Sequence, residues 1–197
     1  MILKALALLT MIGTANASSI QDEDPILNTV AEEVVVTIET SKKLTIIDLG
    51  KQIRDETFYE EVIETLKSAD KDHTIQFEIH NIGGDMDGMI SILNALDVTK
   101  AHTVAHVTTS GQSAAAVIAC HCDEIALEPY SFLMFHDVSF ATGQSKSHDI
   151  LEMTKMTRQV YKKTLDACVV NGVLTDQEVE NIMNGQDVYK SGDDIKK

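Results

Sequence analysis

Three stretches of the chain carry residue types that could do chemistry together: Gly111-Gln112-Ser113-Ala114-Ala115-Ala116, His80-Asn81-Ile82-Gly83-Gly84 and Phe132-Leu133-Met134-Phe135-His136. Ser113 follows a β-rich run and opens a small-residue helix. A serine at such a junction exposes its hydroxyl, while the first amides of the helix point outward without intrahelical partners. That suits a nucleophile, although a serine there is more often only an N-cap. Gly83-Gly84 ends a strand and precedes a helix, so its backbone can approach a substrate and offer amides to a developing oxyanion. The same pair also makes an ordinary turn. His136 closes an apolar run, where it can act as a general base or as a structural residue.

The elements that must position these residues follow from the spacing of apolar side chains. Val34 to Ile38 and Leu44 to Leu49 read as strands, and Phe58, Val62, Ile63 and Leu66 form a helical stripe. Ile75, Phe77 and Ile79 alternate as a strand running into Gly83-Gly84, and Met86 to Leu96 returns to helical period. The pattern repeats with strand Thr103 to Val107, helix Ser113 to Ala119, and short strands at Ile125 to Leu127 and Phe132 to Phe135. A long amphipathic helix is predicted over Ser147 to Val170, and Val179, Ile182 and Met183 mark a last short one. Recurring strand-helix units imply an α/β fold with parallel strands joined by crossover helices.

A chain of 197 residues with 44% hydrophobic content supports one core. The net charge of −15 argues against nucleic-acid binding, which needs a basic surface, and reads as a solvated exterior. Lys4, the apolar run Ala5 to Gly13 and Ala15-Asn16-Ala17 resemble a secretory signal peptide over residues 1–17, too short for a stable membrane anchor. Residues 18–41 then form an N-terminal segment and 42–197 the main domain. Cys120, Cys122 and Cys168 show no zinc-like spacing and read as core residues; in an exported chain Cys168 could bridge to either of the other two.

Taken in order, these motifs resemble the proteolytic subunits of the Clp protease family. Ile46 to Ile53 with Asp55-Glu56 is similar to the family's first core strand and turn. His80 to Gly84 resembles its oxyanion loop, although Ile82 stands where a proline is expected. Ser113 to Ala119 resembles the nucleophile helix, and Ser131 to His136 the strand that ends in the catalytic histidine. Asp187-Val188-Tyr189-Lys190-Ser191 is similar to the segment that supplies the triad acid, and Asp123-Glu124-Ile125 directly after the nucleophile helix is closest to the shorter, phage-type members. The resemblance spans about Lys43 to Ile195. It implies a Clp protease/crotonase-like α/β fold of repeated strand-helix units, with residues 147–170 as a protruding handle helix.

The resemblance further implies a serine endopeptidase with Ser113 as nucleophile, His136 as base and Asp187 as orienting acid, Asp149 and Asp137 being the competing acids. Amides of Gly84 or Gly83, and of Ala114, would hold the oxyanion. No metal or organic cofactor is implied. The substrate would be a peptide or unfolded protein and the assembly a homo-oligomeric heptameric ring, singly or stacked. An ATP-driven unfoldase of the AAA+ class would be a partner in the cytoplasm, whereas an exported subunit would meet none. The glycine that family members carry four residues before the serine, counted from Gly111, would land the nucleophile position on Ala115. Counted from the downstream motifs it lands on Ser113, a frame that aligns more positions without a gap. If Ala115 held the position, the chain would be an inactive ring subunit with a structural or regulatory role. A crotonase-type acyl-CoA enzyme shares the fold and the backbone oxyanion hole but needs no serine-histidine pair.

Overall fold

The computed structural model describes residues 34–39, 43–139 and 146–195. The signal-like residues 1–17 and most of the 18–41 segment lie outside them. A single seven-stranded sheet organises the rest. Strands β1 (Val34–Glu39), β2 (Lys43–Asp48), β3 (His73–Asn81), β4 (His102–Gln112), β6 (Phe132–Phe135) and β7 (Val188–Lys190) follow one another across it, and β5 (Glu124–Leu127) also pairs with β4. The interior pairs β2–β3, β3–β4, β4–β5 and β4–β6 are parallel, as crossover helices require. The two outer pairs, β1–β2 and β6–β7, are antiparallel.

Helices α1 (Glu60–Ser68), α2 (Met86–Leu96), α3 (Ala114–His121), α4 (Ser147–Val170) and α5 (Asp176–Met183) complete the domain. The alternation in β3 explains the core. Ile75, Phe77 and Ile79 are buried, while Gln76, Glu78 and His80 between them are partly exposed. Val62, Leu66, Met89 and Ile92 share one cluster with those buried strand residues. In α3, residues Ala114 to Cys120 are all buried, so alanines at its start let the helix press close to its neighbours.

Two ends of the sheet matter for function. β4 is split along its length: Val104 to Val107 pair with β5, and Ser110 to Gln112 pair with β6. The far end of β4 is therefore level with β6, so the residues that follow each strand, Ser113 and His136, emerge on the same edge. α4 is tied to α3 by a Cys120–Cys168 disulfide, and Cys122 is buried beside it in the core. Two further bonds join these helices: Asn171 Nδ2 donates to the Cys120 carbonyl at 2.9 Å and His121 Nε2 to the Thr164 carbonyl at 3.2 Å. No helix among the described residues is long and apolar enough to cross a membrane.

Candidate active site

Ser113 is the one non-glycine described residue with positive φ (54°, ψ −123°), at the turn between β4 and α3. Such a conformation costs on the order of 1–3 kcal/mol and persists only where its surroundings enforce it. Here the Ser113 amide donates to the Met134 carbonyl on β6 at 2.7 Å, and the loop at Gly83 closes from the other side. A Cβ on Gly83 (φ 85°) would lie 2.5 Å from the Gln112 carbonyl oxygen and 2.5 Å from Ser113 Cβ. Only glycine lets the loop come this close to the serine turn. The Ser113 hydroxyl makes no hydrogen bond to a described residue. Ala115, two residues on, is fully buried within α3.

Asn81 shapes the glycine loop. It has the same parity as Ile79 in β3 and so faces the core, fully buried. Its Nδ2 donates to the Gly50 carbonyl at 3.0 Å, and its Oδ1 accepts from the Gly83 amide at 2.8 Å. Gly83, one of the two glycines expected to serve an oxyanion, thus has its amide committed to the loop. The Gly84 and Ala114 amides make no hydrogen bond to a described residue. Gly84 (φ 150°) forms a bridge with Ile53, and a Cβ there would meet the Ile53 carbonyl oxygen at 2.1 Å.

Gly84, Ser113, Ala114 and His136 line one cavity of about 390 Å³. Met86, Met89 and Met153 supply much of its apolar wall, and flexible thioether chains suit irregular apolar groups. His136 Nδ1 lies 2.6 Å from the Asp137 carbonyl oxygen. A carbonyl only accepts, so Nδ1 carries the proton and Nε2 holds the lone pair, with no partner among the described residues. The serine and imidazole share no hydrogen bond in this structure; catalytic bonds of this kind are often long outside the substrate complex.

Asp187 stands apart. The β6–β7 register, Phe135 opposite Val188, brings its backbone opposite His136, but its side chain is exposed, does not line the cavity and makes no hydrogen bond to a described residue. Of its competitors, Asp149 is exposed in the first turn of α4, and Asp137 is engaged elsewhere: its carboxylate accepts from the Val138 amide at 2.9 Å and from Arg158 of α4. Arg158 also donates to the Met183 carbonyl, and the Tyr161 hydroxyl donates to the His136 carbonyl at 2.8 Å. Burial, reinforced by the nearby Asp137 charge, holds the Tyr161 hydroxyl far above its ordinary range, so it stays protonated and donates. Arg158 and Tyr161 had no signal as site residues in the sequence beyond their three-residue spacing on a helix, which puts them on one face.

The family model described as Clp protease matches residues 30–193. The match is to the family as a whole and does not separate its shorter, phage-type members. Among curated proteins none matches the chain.

Proposed function

Because this chain belongs to the Clp protease family, we propose that it is a serine endopeptidase in which Ser113 attacks the peptide carbonyl and His136 Nε2 takes the hydroxyl proton. The same nitrogen then gives that proton to the leaving amine, and water repeats the cycle to release the acyl group. The Gly84 and Ala114 amides hold the oxyanion in both steps. Asp187, across β6–β7 from the base, contributes negative charge that favours the imidazolium. One observation carries the reading: a serine in a left-handed turn, an imidazole, and two amides that bond no described residue line a single cavity. The burial of Ala115 inside α3 favours Ser113 as the nucleophile over the inactive frame.

The working form is a homo-oligomeric ring, with α4 as the handle between rings and peptides or loosely folded chains as substrates. Export through cleavage after Ala17 fits the Cys120–Cys168 bridge, since disulfides persist in oxidising compartments. An exported ring would work without an ATP-driven unfoldase. Mass-spectrometric mapping of fluorophosphonate labelling tests the nucleophile: the label is expected on Ser113 and absent from Ser113→Ala and His136→Ala. A folded ring that takes no label would make the chain a noncatalytic subunit, and turnover of thioesters in place of peptides would make it an acyl-CoA enzyme.

A further inference from the structure

The acyl-transfer chemistry leaves one lining residue of the serine cavity without a role. Among the described residues there, Asp85 alone carries a fixed charge, directly after the Gly84 amide. A carboxylate does not help a nearby oxyanion, because like charges repel. Asp85 also caps α2: its Oδ1 accepts from the Asp87 amide at 2.9 Å and the Gly88 amide at 3.0 Å. The cap accounts for the oxygen and not for the charge, since asparagine, serine or threonine would cap as well. The helix terminus supplies only about half a positive charge, so about half of the carboxylate's charge stays uncompensated. Asp85 forms no ion pair with a described residue, and its Oδ2 bonds none. Arg158 is taken up by Asp137 and the Met183 carbonyl.

Beside this charge the cavity is apolar and unbranched. Met86, Met89 and Met153 line it with thioether chains, which adapt to an aliphatic stem. Lysine and arginine side chains combine such a stem with a cationic tip and bury the one while keeping the other among polar groups. We propose that Asp85 is a specificity-determining residue: the cavity takes a lysine or arginine side chain of the substrate, its stem against Met86, Met89 and Met153 and its charge at the Asp85 carboxylate. The inference rests on the peptidase reading and adds the class of residue beside which the chain cuts.

The test uses internally quenched peptides with blocked termini and one cleavable position, on the full-length protein. One pair carries lysine or norleucine on the acyl side of the scissile bond, and a second pair carries them on the amine side, with the cut mapped by mass spectrometry. Norleucine keeps the stem and lacks the ammonium. In one of the two pairs the parent should favour lysine in kcat/KM by about five- to fiftyfold, between an exposed ion pair and a buried charged hydrogen bond. The ratio should shrink between 0.1 and 1 M salt, as the screening length falls from about 10 to about 3 Å. Asp85→Asn keeps a capping oxygen and should bring the ratio to within about twofold of one. Asp87→Asn removes a carboxylate that lies within 4.8 Å of Asp85's but does not line the cavity, and should move the ratio by less than about twofold. Each ratio is taken within one variant, so a loss of folded protein cancels.

A parent that turns over lysine and norleucine peptides equally in both pairs would overturn the proposal. So would a lysine preference that persists in Asp85→Asn. The same peptides are also titrated against Ser113→Ala by fluorescence anisotropy, where the lysine preference should appear in Kd and vanish on adding Asp85→Asn. Cleavage that survives Ser113→Ala, or a parent that cleaves no peptide, would sink the peptidase reading. The Kd ratio would still decide whether Asp85 selects a cation.

Discussion

The two halves of the site are held in different ways. Around Ser113 the constraint is steric and comes from backbone: a positive-φ turn, a glycine loop with no room for one more carbon, and a helix of buried alanines. Around His136 the constraint is polar and comes from two side chains on a distant helix, Arg158, which is partly exposed, and Tyr161, which is buried. A steric constraint fails abruptly, because atoms cannot overlap. A polar one fails by degrees, because each lost bond releases a fraction of the total. The Ser113 half should therefore be intolerant of change, and the His136 half tunable.

The largest effect should come from Gly84→Ala. Its new Cβ would meet the Ile53 carbonyl at 2.1 Å, so the loop must move and take its amide out of the cavity. Losing one oxyanion donor typically removes about 100- to 1,000-fold from kcat, measured on a short peptide against Gly192→Ala, where a Cβ meets nothing within 4 Å. If Gly84→Ala turned over peptide like the parent, the steric account of this half would be wrong.

Next in size is the link between the halves. The Cys120–Cys168 bond closes a 48-residue separation between α3, which begins directly after Ser113, and α4, which carries Arg158 and Tyr161. Cys168→Ser should destabilise the fold by about 2–4 kcal/mol, lowering Tm by roughly 5–15 °C for a chain of this size in a thermal melt. With the link cut, kcat should fall at temperatures where the Ser113 half is still intact. An unchanged Tm would mean that packing alone joins the two helices.

The same contrast explains what could be read from residue types and what could not. The strand and helix order was legible because β3 and α2 obey simple periods: Met86 to Leu96 is helical as the spacing predicts. That Gly84 and Ala114 lie beside Ser113 in one cavity was foreshadowed because close packing there selects glycine and alanine. The true length of β4 was not, since Thr108 to Gln112 are polar or small, yet they extend the strand and Ser110 to Gln112 pair with β6. β7 was missed as a strand because three residues, Val188–Lys190, carry too little alternation to register. The bonds from Arg158 and Tyr161 to the 136–137 segment escaped for a deeper reason. Arg158 and Tyr161 lie more than twenty residues from His136, and only tertiary packing brings them to it.

The smallest of these effects tests whether the base half does fail by degrees. Glu178 of α5 pairs with Lys190 of β7 at 2.6 Å and closes a capping box with Thr175, so it anchors the strand beside β6. Partial burial alone would push the Glu178 carboxyl up, but bonds from Lys190 and Thr175 together outweigh it and hold the group below its ordinary 4.5. A depressed folded-state value means that the ionised carboxylate is worth more in the fold than in the open chain. That contribution is present in full above about pH 4.5 and is lost as the pH falls through the folded value. Glu178→Gln keeps the cap but leaves the largely buried Lys190 ammonium without its counter-charge, which should cost about 1–3 kcal/mol at pH 7. In thermal melts the gap between parent and variant should narrow as the pH drops from 7 toward 4, because protonation does to the parent what the substitution did to the variant. Peptide turnover near neutral pH should fall only in part, since β6 keeps its pairing with β4. A gap that stayed constant with pH would show that the side chain's shape, and not its charge, holds β7 in place; an abrupt loss of turnover would show that the base half is as brittle as the nucleophile turn.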